Sequence, residues 1–167
     1  MQIGFLLDFG IKNCNQFRMM CRVCKSGGST SGLLFRCEGE DCDAVHWDKS
    51  KILRNKKRIL LKNSELRKEI LLEAQVPDYI RTGKRHYCYL LRLKGTKNSV
   101  YVGMTGLHPY ERYFNHIVGY KASSVAKKKV TALITYEGPM LYDLAVSREK
   151  TWFNELVEKG YNAHGGK

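Results

Sequence analysis

From His86 to the end of the chain, apolar and polar positions fall into short, cleanly punctuated runs. HYCYLLRL (86–93) and SVYVGM (99–104) have the β-branched and aromatic content of strands and are separated by the polar turn KGTKN (94–98). A helix is predicted from about Pro109, where proline suits the first turn. VTALITY (130–136) reads as a third strand. A second helix runs from about Leu141 to Lys159, with Gly160 at the left-handed position past its end. The order is β-β-α-β-α, an α+β unit. Upstream, Ser64 is an N-cap candidate for a helix that lines up Leu66, Ile70 and Ala74 on one face and ends by Pro77. Further upstream, the Gly/Ser turn cluster KSGGSTSG (25–32) precedes the strand-like LLFRC (33–37).

Composition sets the scale. With 167 residues, 43% hydrophobic and 11% aromatic, the chain can pack a core in one or two small domains. No internal repeat or low-complexity tract stands out. The apolar stretches are a few residues long, against roughly 20 needed to span a bilayer, and MQIGFLLD lacks a basic leader. A soluble, cytoplasmic chain with no membrane partner is expected. The net charge of +13 is unevenly spread: residues 1–48 hold five basic and six acidic groups, 49–86 twelve and four, 87–167 twelve and six. Such a field suits a polyanion, because Lys and Arg that neutralise phosphates release condensed counterions; a basic surface kept for solubility is the plain alternative. Three regions follow: a cysteine-rich module (1–48), a basic connector with one helix (49–85) and the α+β unit (86–167).

Five of six cysteines lie between residues 14 and 48. Cys21-x2-Cys24, a gap of twelve, and Cys37-x4-Cys42 have the form of a four-thiolate structural Zn²⁺ site. Cys14 and His46 compete as the fourth ligand, and a disulfide or no metal is the remaining alternative. Cys88, on a core-like strand, reads as a small buried hydrophobe. The module's slight negative charge argues against phosphate gripping there. Arg54, Lys56, Lys57 and Arg58 in the connector, with Lys127, Lys128 and Lys129, are the better candidates for nucleic-acid contact.

In the α+β unit, Ala145, Glu149, Trp152 and Leu156 share one helical stripe, so Glu149 is set where the core should be. An ionised carboxylate there is costly unless paired with a cation or hydrogen-bonded. Either one Mg²⁺ or Mn²⁺ ion or a salt bridge satisfies it. Arg112 and His116 are four apart and share a helical face. Arginine grips phosphate oxygens with a planar fork, and histidine exchanges a proton near neutrality; an exposed Arg-His pair on an amphipathic helix is the plain reading. Tyr89 and Tyr101 lie on consecutive strands and are ordinary packing residues unless they share a face. A five-residue loop pairing Leu93 with Ser99 puts them on one face; a two-residue turn at Thr96-Lys97 puts them on opposite faces.

Taken in order, YCYLL (87–91), VYVGMT (100–105), Arg112-x3-His116, Ala145-x3-Glu149 and Gly160-Tyr161-Asn162 resemble a GIY-YIG nuclease domain over about 80 residues. Tyr87-Cys88-Tyr89 departs from Gly-Ile-Tyr yet keeps the final tyrosine, and one extra residue separates Gly103 from Arg112. The resemblance implies a metal-dependent DNA endonuclease, similar to restriction-type members that cut duplex DNA and often dimerise. It implies that Tyr89 accepts a proton from the attacking water or orients that water, that Tyr101 assists at the phosphate, and that Arg112 clamps the transition state. His116 then assists the tyrosine, Glu149 holds the metal and Asn162 bonds to the site framework. Gly103 lets the substrate backbone approach. A non-catalytic zinc-containing nucleic-acid-binding protein, and a homing, repair or single-strand nuclease, are the rival readings.

Overall fold

In the computed structural model, residues 20–54, 65–76, 85–96, 98–127 and 129–166 are described. The elements are β1 (Gly28–Ser31), β2 (Leu34–Cys37), β3 (Val45–Trp47), α1 (Lys49–Arg54), α2 (Glu65–Glu73), β4 (His86–Leu93), β5 (Ser99–Thr105), α3 (Pro109–Val118), β6 (Val130–Met140), α4 (Tyr142–Glu158) and β7 (Asn162–Gly165). All seven strands form one sheet in the order β1-β2-β3-β6-β4-β5-β7. The cysteine-rich region enters it through β3, whose Val45 pairs with Leu133 of β6. The expected α+β class holds.

The β4–β5 hairpin carries the register that a loop over 94–98 requires: Tyr89 pairs with Gly103 and Leu91 with Tyr101. Tyr89 and Tyr101 therefore lie on one face. That face is covered by α1, α2 and α3. Tyr89, Leu91 and Leu93 pack there with Leu34, Val45, Trp47, Ile52 and Ile70, and with Tyr113, Phe114 and Ile117 of α3. The opposite face buries Cys88, Leu90, Val100 and Val102 under Ala145, Trp152 and Leu156 of α4. The alternation along β4 is thus buried on both sides, which is why the strand reads as nearly continuous apolar sequence. The stripe Leu66, Ile70, Ala74 faces the first core as expected.

The start of α3 and the end of α4 follow their sequence signals, while Ser64 and Pro77, the expected bounds of α2, lie outside the described residues. His108 caps α3 by accepting from the Tyr110 amide (3.2 Å), with Pro109 behind it. At the end of α4 the Gly160 and Tyr161 amides bond back to Val157 and Leu156, closing the last turn. Three strands lie outside the sequence expectations. Residues 28–31 form an edge strand within what reads as a turn cluster, because the polar Gly-Ser-Thr-Ser run takes its register from β2 and has no buried face of its own. β3 is three residues long, too short for periodicity. β7 pairs parallel with β5, Tyr101 opposite His164, and its Asn-Ala-His-Gly composition carries no strand signal.

Candidate active site and cysteine cluster

Tyr89 is the centre of the α3-side site. Its side chain is essentially inaccessible (1% exposed), and its hydroxyl lies 2.9 Å from His116 Nε2. Arg112 Nε donates to the same oxygen at 3.3 Å, while Arg112 NH1 is held by the Lys121 carbonyl at 2.8 Å. The Tyr101 ring closes the group, with centroids 6.3 Å from Tyr89 and 5.6 Å from His116. The spacing of four on α3 thus does bring Arg112 and His116 to one point, the phenol oxygen.

Gly103 is necessary to this arrangement. A Cβ at that position would lie 2.6 Å from the Tyr89 hydroxyl oxygen and 2.9 Å from the Tyr101 ring, so the two phenols occupy the space a side chain would take. Burial pushes the Tyr89 hydroxyl above the ordinary phenol range; the Arg112 charge opposes this, and Tyr101 and Glu149 add to it. Burial, followed by the Arg112 charge, drives His116 down to about 3. Here the structure corrects the expectation of proton exchange near neutrality: a fully buried imidazole beside a guanidinium stays neutral at working pH. Among the described residues, His116 Nδ1 has no hydrogen-bond partner.

Glu149 projects from α4 within the predicted stripe, half-buried beside the fully buried Ala145. Its Oε1 accepts from the Gly166 amide at 3.2 Å. Among the described residues it has no Lys or Arg partner, whereas its neighbour Arg148 is paired to Glu137 (2.7 Å) and Glu155 (3.0 Å). Desolvation consequently raises the Glu149 carboxyl, partly offset by the Gly166 bond. One oxygen committed to a backbone amide and one left over, with no balancing cation among those residues, is a donor set that fits a hard divalent ion retaining most of its waters.

Asn162 begins β7, is exposed, and pairs with Ser99; its amide bonds to the Asn98 carbonyl at 3.0 Å. The half-buried His164, unremarked in the sequence, pairs with Tyr101 and so lies on the catalytic face. The only signal for it is β7 itself, which the local composition conceals.

On the other side of the sheet, Cys21, Cys24, Cys37 and Cys42 converge, their sulfurs all within 4.8 Å of one another. Cys21 and Cys42 lie 3.8 Å apart and Cys24 and Cys37 3.3 Å. The four sulfurs can hold one metal ion. His46 Nε2 lies 3.3 Å from Cys21 Sγ and accepts from the Arg22 amide, while Nδ1 faces the Thr131 carbonyl. It sits beside the cluster and outside the four-sulfur set. Cys88 is buried, its thiol against the Ala145 carbonyl at 3.2 Å. Cys14, Lys56, Lys57, Arg58 and Lys128 lie outside the described residues; Arg54, Lys127 and Lys129 are exposed. No helix among the described residues is long and apolar enough to cross a membrane.

Comparison with known proteins adds one finding. Residues 85–162 match the family model of the GIY-YIG catalytic domain, while no curated protein and no solved structure matches the chain. The matched span begins one residue before β4 and ends at the first residue of β7, so it includes Tyr89, Tyr101, Arg112, His116 and Glu149. The hairpin, the Arg-His face of α3 and the α4 glutamate, which has no Lys or Arg partner among the described residues, all lie within the stretch that matches the GIY-YIG catalytic domain of a nuclease superfamily, and a cysteine cluster suited to a metal precedes it.

Proposed function

We propose that the protein is a divalent-metal-dependent endonuclease that hydrolyses phosphodiester bonds in duplex DNA, of the restriction type, with a structural zinc ion on Cys21, Cys24, Cys37 and Cys42. The observation that carries this reading is Glu149, a half-buried carboxylate without a cationic partner among the described residues, whose charge is felt at the Tyr89 hydroxyl. Mg²⁺ or Mn²⁺ there neutralises phosphate charge and makes water more acidic.

The chain's own groups do the positioning. A buried N–H without an acceptor is more costly than an unused lone pair. The partnerless His116 Nδ1 is therefore the bare nitrogen, and Nε2–H donates to Tyr89. With Arg112 Nε–H also donating, both lone pairs of the Tyr89 oxygen are engaged, and its own O–H is left to donate outward. Tyr89, neutral at rest, thus orients the attacking oxygen and does not take its proton in the ground state. The free edge of the Arg112 guanidinium supplies the fixed positive charge that favours the phosphorane-like transition state.

The test is cleavage of supercoiled plasmid in Mg²⁺ by the full chain, beside Glu149→Ala and an EDTA control. Discrete fragments that vanish in both controls support the proposal. Cleavage that survives Glu149→Ala, or DNA binding with no cleavage, overturns it, the latter in favour of a non-catalytic zinc-containing nucleic-acid-binding protein.

A further inference from the structure

Between the cysteine region and the catalytic domain lies a cleft of about 440 Å³ that the reaction chemistry does not use. One wall comes from Arg36, Cys37, Asp43 and Val45; the other from Tyr110, Thr135 and Tyr136. Its volume falls in the roughly 300–1,000 Å³ range of sites that take small molecules or single groups. The cleft adjoins the catalytic centre, because Tyr136 pairs with Tyr89 across β6 and β4, and Tyr110 lies two residues before Arg112 on α3.

The lining is unlike ordinary surface. Tyr136 leaves 36% of its area in solvent although its ring is packed edgewise against Tyr87, His108 and Tyr110 at 5.8–6.0 Å. A large aromatic fixed by three ring contacts and still open to solvent can serve as a stacking platform. Arg36 is equally fixed: NH1 donates to Ser31 Oγ at 2.8 Å and NH2 to the Ala74 carbonyl at 2.9 Å, with the guanidinium 5.6 Å over the Tyr110 ring. It makes no ion pair among the described residues, so a fixed guanidinium not neutralised by an acid lines the cleft. Asp43, exposed, offers carboxylate oxygens to amino groups.

We propose that this cleft receives a single unstacked nucleobase, held flat by the Tyr136 ring and the Arg36 guanidinium and read at its edge by Asp43. Aromatic and guanidinium planes stack on any base, while a carboxylate selects bases that present an exocyclic amino group. The inference rests on the nuclease reading and extends it, because it gives the enzyme a way to select strands that are locally unpaired. It also gives the cysteine cluster a job beyond stapling: Cys37 belongs to both the sulfur set and the cleft wall.

The experiment measures binding of the full chain carrying Glu149→Gln, which prevents cleavage, to a labelled duplex and to the same duplex with one unpaired adenine or cytosine. The expected result is about tenfold tighter binding to the bulged duplex. That preference is lost in Tyr136→Ala and kept in Tyr136→Phe, whose ring is intact. Equal affinity for the two duplexes, or a preference that survives Tyr136→Ala, overturns the inference and leaves the nuclease reading standing. Binding to neither duplex overturns the nuclease reading itself and the inference with it. Deoxynucleoside monophosphates titrated alone distinguish the source of the base: competition with the bulged duplex points to free nucleotides as well as strands, and its absence to strands only.

Discussion

The catalytic domain and the cysteine region sit on the same sheet but are held by different physics. Two cores meet on opposite faces of β4 and β5, one including Phe114, Ile117 and Leu91, the other Trp152, Val102 and Leu156. Among the described residues, the apolar cluster around the sulfurs buries only Cys21, Phe35 and Ala44. Yet Leu34, Val45 and Trp47, from the same stretch of sequence, belong to the large core, and the Trp47 indole donates to the Tyr110 carbonyl at 3.1 Å. So the region divides in two: strands fused to the catalytic domain by apolar burial, and a thiolate knuckle with little apolar area to fold it. The proposed site lies on the well-packed side, where a carboxylate with no cationic partner among the described residues can be tolerated.

That tolerance can be measured, and it is the largest effect expected. Glu149→Gln keeps the shape and removes the charge, so cleavage should fall about 10³-fold or more, the several kcal/mol that a bound metal supplies. Stability should move the other way. The folded-state pKa of Glu149 is raised, so the native state holds the proton more tightly than the unfolded chain, and stability falls as pH rises from the ordinary carboxyl range through the folded value. At neutral pH the ionised Glu149 therefore costs stability that glutamine does not. Unchanged or higher Tm with lost cleavage is the predicted pair; a clearly lower Tm would mean that Glu149 is a structural group.

The complementary break is on the other side. Removing the metal with a chelator, or making Cys37→Ser, should cost about 3 kcal/mol or more, since metal binding supplies much of such a knuckle's folding free energy. The loss should be local. Hydrogen exchange should accelerate across 21–44 while the amides of β4 and β5 stay protected, because their neighbours β6 and α4 do not depend on the sulfurs. Uniform deprotection would show that the two regions unfold together.

How far the sequence disclosed this molecule follows the same divide. Spacing arguments worked where one element's own periodicity decides the outcome: the α3 face with Arg112 and His116, the α4 stripe with Glu149, and the hairpin whose pairing brings Tyr89 and Tyr101 together. The four cysteines were legible because chelation imposes a local spacing. What escaped depends on long-range pairing. β7 exists because β5 offers an open edge, not because Asn-Ala-His-Gly favours strands, and His164 was hidden with it. The aromatic cleft joins residues 36 and 136, which no local pattern links. The protonation state of His116 depends on its burial beneath the sheet, which a single Arg-x3-His motif does not report.

Acid sharpens the contrast further, by a smaller amount. His108 and His116 are buried, and burial lowers them to about 4 and about 3. The unfolded chain takes up their protons near pH 6.5, so stability is intact above that value and is lost as pH falls toward the folded values. Each contributes a slope of up to about 1.4 kcal/mol per pH unit in that window. His116→Asn should flatten the slope by one histidine's share in denaturant titrations at pH 4.5–6.5. Both histidines lie on the catalytic side, at α3; the buried His46, lowered to about 4, adds a like share from the cysteine side. A slope that His116→Asn leaves unchanged would mean that the histidine is not buried neutral.

The smallest predicted difference separates the motif from the sheet. By resemblance Asn162 belongs to the site, but the parallel register sets it opposite Ser99 at an exposed position, and sets the half-buried His164 opposite Tyr101. Side chains at paired positions share a face, and two residues along a strand amount to about 7 Å. Asn162 is therefore one pleat too far along β7 to stand beside Tyr101. Asn162→Ala should change stability by less than about 0.5 kcal/mol, as expected for an exposed position. It should leave the cleavage rate within about twofold, whereas His164→Ala should lower the rate by about tenfold, or 1.4 kcal/mol. The reverse ranking would require β7 to shift by two residues when substrate binds, and that shift would break the Gly166 amide's bond to Glu149. A larger effect at Asn162 would thus locate the working register of β7 as well as the residue that matters.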